Sequence, residues 1–244
     1  MKIKHLSFLL ALVMILSAFA GTFTVSAEGE EAAVNAWEVG GQTYATWQEA
    51  IDAAVPGDTI YLIADYTQTG DIRTNKDLTI EGRLKADGTR PVLTHTPGWD
   101  VISIGISGEP ENGGTVLFKG FDIVTVGLKQ SASIYVRQGN NLIMEDMNVV
   151  FGVGTAAHYI TKGFVRFSGN DINVTFKNWV ISASTGHTLT IPAGVTVTIG
   201  EGCVITSNGS GCAVNNGGNL TINEGATING SIYAGGVVVI NGGT

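Results

Sequence analysis

Apolar and polar residues alternate along most of the chain in short runs, and one run recurs. It is plainest at Val174 to Ile181, VTFKNWVI, and aligns without a gap with Val116 to Ile123, VLFKGFDI, and Leu142 to Val149, LIMEDMNV. Alternate residues of a strand face opposite sides, so the pattern predicts a strand, a tight polar turn and a second strand. With a turn one residue longer it returns as VTIGEGCVI at Val197 to Ile205 and LTINEGATI at Leu220 to Ile228, and its first half at Leu78 to Ile80 and Val238 to Ile240.

The alignment predicts which positions face inward. Phe118, Met144, Phe176, Ile199 and Ile222 form one inward column, and Ile123, Val149, Ile181, Ile205 and Ile228 a second. Phe121, Met147, Trp179, Cys203 and Ala226 lie between them, while Asp122, Asn148, Val180, Val204 and Thr227 point out. A single repeat cannot bury its apolar face, so neighbouring repeats must stack. Their starts follow one another after 26, 32, 23 and 23 residues, too few for strands joined by a crossover helix. Third strands are expected at Ser133 to Arg137, Phe164 to Phe167, Thr188 to Ile191, Cys212 to Val214 and Ser231 to Tyr233. The expected fold is all-β, a three-sided parallel solenoid.

Before the repeats, Trp37 to Tyr44 is a strand candidate around Gly40-Gly41, and Thr46 to Ala54 predicts one short helix. Thr46 and Glu49 form a capping box, Trp47, Ala50, Ile51 and Ala54 share a face, and Pro56-Gly57 stops it. Thr59 to Ala64 follows as an apolar strand. The first repeat departs from the pattern, with Arg83 where an inward apolar residue is expected. A further repeat using Val101 to Ile106 is expected within the turn-rich stretch from Glu81 to Gly114.

The stretch TWQEAIDAAVPGDTIYLIADY, Thr46 to Tyr66, resembles the opening of right-handed parallel β-helix proteins of the pectate lyase-like superfamily. The stretches DLTIEG, Asp77 to Gly82, and NLTINEG, Asn219 to Gly225, resemble rungs of the same superfamily. The resemblance implies a right-handed coil whose first open edge is covered by the helix, and it specifies architecture rather than activity.

Met1 to Ala27 has the pattern of a secretory signal, with Lys2 and Lys4 before an apolar segment and Val25-Ser26-Ala27 as the cleavage site. The expected organisation is a signal over 1–27, a linker over 28–36, an N-terminal cap over 37–65 and the β-helix over 66–244. The expected location is secreted or at the cell surface, with no stable membrane span after cleavage. Without Lys2 and Lys4 the chain carries 11 Lys and Arg against 21 Asp and Glu, a charge of −10, which makes nucleic acid a poor partner. Two readings stand for Cys203 and Cys212: a disulfide across one repeat, or Cys203 serving as a small apolar residue of its inward column.

Enzymes of this fold commonly cluster acids, to hold calcium or to act on glycosidic bonds, which directs attention to Glu145-Asp146. Glu145, however, belongs to a column reading Glu81, Lys119, Glu145, Lys177, in which the signs alternate as a charge ladder. Arg137, Arg166 and Asp171 are the weak catalytic candidates, since eliminating across a uronic acid needs a base and a cation on the substrate carboxylate. Among His95, His158 and His187 no ligand spacing occurs, so no metal site is expected, and calcium only if the chain is an enzyme. Ligand-binding candidates are His158 and Tyr159, in an irregular insertion, and Thr175, Thr198 and Thr221. These threonines lie beside Asn173, Thr196 and Asn219 as a flat polar face of the kind some solenoids use for ice or carbohydrate; the plainer reading is that Thr suits exposed strand positions.

The function expected is a non-enzymatic exported β-helix module for adhesion or glycan contact, with an extracellular polysaccharide or surface glycan as partner. The alternative is a polysaccharide-degrading lyase or glycoside hydrolase. Val237 to Ile240 begins another repeat shortly before Thr244, which predicts either a longer solenoid or end-to-end self-association.

Overall fold

Successive repeats pair in parallel, in the register that their alignment dictates. The computed structural model describes residues 35–95, 102–105, 113–126, 134–153, 164–183, 186–209 and 211–244. Within them the first strands form one continuous ladder. Leu78 pairs with Val116, Val116 with Leu142, Leu142 with Val174, Val174 with Val197, Val197 with Leu220 and Leu220 with Val238. The second strands follow suit: Leu93, Ile123, Val149, Ile181, Ile205 and Ile228 are successive partners. Among the described residues the chain is all-β apart from the helix Trp47–Ala53, and nearly all the strand pairs are parallel.

Third strands occur within two residues of their expected places, at Ile134–Arg137, Val165–Ser168, Leu189–Ile191, Val214–Asn216 and Ile232–Ala234. They form two parallel sheets, connected where the Phe164 N–H donates to the Thr188 carbonyl at 3.3 Å. The first and second strands instead share one sheet, because Asn141–Val153 and Ile172–Ala183 continue around the corner as single bent strands.

Each bend is made by one residue of left-handed conformation. Asp146 and Asn178 have φ of 55° and 43°, and the same corner position is filled elsewhere by Gly120, Gly202 and Gly225 at 73°, 73° and 79°. Only Gly, Asn and Asp visit this region readily, which is why the variable turn keeps to those three types.

The inward columns are buried as aligned, except that Ile228, in the last full repeat, is half-buried. Phe118, Met144, Phe176, Ile199 and Ile222 are at most 2% exposed, and so are Phe121, Met147, Trp179, Cys203 and Ala226. Phe176 and Trp179 stack within one repeat, with centroids 4.1 Å apart and planes at 11°. Each such side chain contributes roughly 1.5–3 kcal/mol by leaving water. Val180, one residue from buried Ile181, is 38% exposed.

The hairpin of Trp37–Val39 and Gln42–Tyr44 turns through Gly40 and Gly41, both with positive φ, and lays Trp37–Val39 antiparallel against Thr59–Leu62. The helix Trp47–Ala53 starts with the expected capping box: the Glu49 N–H donates to Thr46 Oγ1, and the Thr46 N–H to Glu49 Oε2. Its Trp47 ring stacks on Trp37 at 4.6 Å and meets Phe118 edge-on at 6.1 Å. Its C-terminal end is closed by Lys76, whose Nζ donates to the carbonyls of Ile51, Asp52 and Ala54 at 2.7, 3.2 and 2.7 Å. A cation there also opposes the negative end of the helix dipole.

Two expectations change. Arg83 is not inward; its guanidinium lies 4.2 Å above the Tyr61 ring and pairs with both carboxylate oxygens of Glu38. The inward residue of that repeat is Leu93, because a loop precedes Val92–His95. Ile102–Ile104 does not begin an extra repeat; it is the third strand of the repeat that begins at Leu78, between Ile72–Thr74 and Ile134–Arg137. Cys203 and Cys212 are free thiols, and burial of Cys203 pushes its pKa up. No helix among the described residues is long and apolar enough to cross a membrane.

Candidate functional site

The most regular outward surface lies on the first strands. Asn141, Asn173, Thr196 and Asn219 are successive partners, and two residues along the same strands so are Ile143, Thr175, Thr198 and Thr221. Rungs of such a ladder stand ~4.8 Å apart, and alternate residues of one strand ~6.7 Å apart, so the hydroxyls and amides form a two-dimensional array. Part of it is internally bonded: Asn173 Nδ2 donates to Asn141 Oδ1 at 3.1 Å, and Asn141 Nδ2 to Thr115 Oγ1 at 3.3 Å. Thr175, Thr198 and Thr221 are half-buried, and no side-chain hydrogen bond ties their hydroxyls to other described residues. Each therefore offers a donor and two acceptor lone pairs outward.

Beyond this array the strands end in the charged column. Glu81, Lys119, Glu145 and Lys177 are successive partners, and Lys119 Nζ meets Glu81 Oε2 at 3.3 Å. Such part-exposed pairs contribute only ~0.2–1 kcal/mol. Asp146 is engaged in structure rather than poised for chemistry. Its Oδ1 accepts from Arg90 at 2.6 Å and from Asn178 Nδ2 at 2.8 Å, while a second Arg90 nitrogen donates to its carbonyl at 2.9 Å. Arg90 also approaches Asp122 at 3.8 Å, so one guanidinium ties two repeats together at the corner.

Of the catalytic candidates the structure unites two. Tyr135 pairs with Arg166 across neighbouring third strands, and the guanidinium carbons of Arg137 and Arg166 lie 4.4 and 4.6 Å from its ring centroid. Stacking of this kind fixes both cations against a ring that is only 8% exposed. Asp171 forms no ion pair with either; it occupies a left-handed turn position with φ of 58°, its N–H donating to the Gly194 carbonyl at 3.1 Å.

His158 and Tyr159 lie outside the described residues. His187 uses Nδ1 to accept from the Cys212 backbone N–H at 2.9 Å. His95 faces inward, 2% exposed, in register with Gln68 and Thr125, and neither ring nitrogen has a hydrogen-bond partner. Burial holds its pKa down to about 4. No three His, Cys, Asp or Glu side chains converge on a common point among the described residues. Sequence reasoning missed Arg90 and Lys76, whose partners are remote along the chain. The inward place of His95 was missed with that of Leu93, because the loop before Val92–His95 displaces the second strand.

Comparison of the chain with protein families, with curated proteins and with solved structures yields no match.

Proposed function

We propose that this chain is an exported, non-enzymatic parallel β-helix module of the pectate lyase-like type that lays its Asn and Thr face against an extracellular glycan. The observation that carries the reading is the registered pair of columns Asn173, Thr196, Asn219 and Thr175, Thr198, Thr221, an uncharged grid of donors and acceptors on a rigid ladder. A glycan strand presents hydroxyls that can both donate and accept, which such a grid complements without burying a charge. Seven successive sets of first, second and third strands support the β-helix assignment, and the start pattern of Met1 to Ala27 supports export.

The test is cosedimentation with insoluble cell-wall polysaccharides, run beside an assay for unsaturated oligouronates, with and without calcium. Replacing Thr175, Thr198 and Thr221 together by Val keeps the shape and strand preference of each residue but removes three hydroxyls. The wild type should cosediment, and the triple variant should bind at least about tenfold more weakly, three lost hydrogen bonds being worth roughly 0.5–1.5 kcal/mol each. Equal binding by the two proteins would refute the face. Release of unsaturated products, lost in Arg166→Ala with the fold intact, would establish the lyase alternative instead.

A further inference from the structure

Where the short corner turn gives way to the longer one, the surface is indented. Lys177 and Asn178 on one repeat face Gly200, Glu201 and Gly202 on the next, and with Asn223 they line a recess of about 530 Å³. That lies within the ~300–1,000 Å³ of small-molecule sites. Two glycines line it: a Cβ on Gly200 would come 3.0 Å from the Phe176 carbonyl oxygen, and one on Gly202 2.9 Å from Asn178 Oδ1.

The rim is chemically balanced. Lys177 and Glu201 have no ion-pair partner among the described residues, although each lies on the same indentation. Asn178 spends Nδ2 on Asp146 and keeps Oδ1 as an acceptor; Asn223 spends Oδ1 on Asn241 and keeps Nδ2 as a donor. The recess thus offers donors from Lys177 and Asn223 and acceptors from Glu201 and Asn178. An anionic ligand would meet the Glu201 carboxylate, and a cationic one the Lys177 ammonium. A neutral polyhydroxylated ring can satisfy all four, since every hydroxyl both donates and accepts.

Position adds to chemistry. Lys177, Gly200 and Asn223 follow Thr175, Thr198 and Thr221 by two residues and so share their face, one column further on. We infer that this recess is a subsite for a neutral sugar residue, rather than a uronate, at the edge of the Asn and Thr array. The inference rests on the glycan-binding reading of that array and adds to it a site and a selectivity.

The experiment follows backbone amide shifts of isotope-labelled protein during titration with cellotetraose and with tetragalacturonate. Cellotetraose should shift the amides of Gly200, Glu201 and Gly202 saturably, with a Kd of about 1 mM, and tetragalacturonate should bind about tenfold more weakly. Lys177→Met and Glu201→Gln should each weaken cellotetraose about tenfold. Glu201→Lys should reverse the preference in favour of tetragalacturonate, an outcome that a merely structural role would not produce. Equal or tighter binding of tetragalacturonate by the wild type overturns the inference. Shifts confined to Thr175, Thr198 and Thr221 overturn it while leaving the array reading in place, as does cosedimentation without any shift at the recess. Absence of both shifts and cosedimentation overturns the two together.

Discussion

Acidifying the protein from pH 7 to about pH 4 should remove a stated amount of stability through one side chain, His95. Its imidazole is 2% exposed, sits in register between Gln68 and Thr125, and has no hydrogen-bond partner on either nitrogen. Burial alone lowers its pKa from 6.5 to about 4. A depressed pKa on a base means that the folded state binds fewer protons than the unfolded one. The folded protein therefore keeps its full stability above the unfolded value of 6.5 and loses it as pH falls toward the folded value of about 4. At about 1.4 kcal/mol per unit, the loss over that window is about 3 kcal/mol. Asp65, whose pKa is lowered chiefly by its hydrogen bond from Lys85, destabilises on protonation only below its ordinary 3.8, so the two effects separate along the pH axis. The assay is hydrogen exchange of the Leu93 and Thr94 amides together with urea unfolding at several pH values, in the wild type and in His95→Leu. The local readout matters because stacked repeats need not unfold in one step. The wild type should lose about 3 kcal/mol between pH 6.5 and 4, and the variant should be nearly flat across the same window. An unchanged slope in His95→Leu would refute the assignment.

Further outcomes are expected elsewhere. Ile181→Asp places an unpaired charge at a fully buried position and should cost about 3–5 kcal/mol in urea unfolding, whereas Val180→Asp, on the exposed side, should be nearly silent. Lys76→Met removes three hydrogen bonds from the end of Trp47–Ala53 and should destabilise by about 2 kcal/mol, seen as faster exchange of the helix amides. In the native protein a thiol reagent should label half-exposed Cys212 and leave Cys203 unmodified until denaturant is added; labelling of both at equal rates would contradict the burial of Cys203.

Much of the fold was legible because the period of two and the constant spacing act together. The column Phe118, Met144, Phe176, Ile199 and Ile222 could be drawn from alignment alone, and each member is buried. Where the spacing failed, so did the reading. The loop before Val92–His95 displaced the second strand, and Arg83 stood where an ungapped alignment expected an apolar residue; a strand reading VLTH, with Thr94 and His95, carries little apolar signal of its own. The Thr columns were placed correctly because outward positions obey the same alternation. Arg137 and Arg166 were grouped as candidates from the sequence, but Tyr135 as the ring that holds them was not foreseen, since a cation-π contact leaves no pattern along one chain. Lys76 reaches carbonyls 22 to 25 residues earlier, and backbone acceptors carry no residue identity to read.

The change in turn length between Lys177-Asn178 and Gly200-Glu201-Gly202 has an evolutionary consequence. A depression formed at the boundary between two repeat lengths belongs to neither repeat, so duplicating either one entire would leave a single boundary and merely displace it. Inserting a short-turn repeat among the long-turn ones would create new boundaries, and with them new depressions, while the strand ladders stay in register. In a lineage of such proteins, the number and placement of binding depressions would then be inherited as the order of repeats, and would shift by recombination without a single substitution in the core.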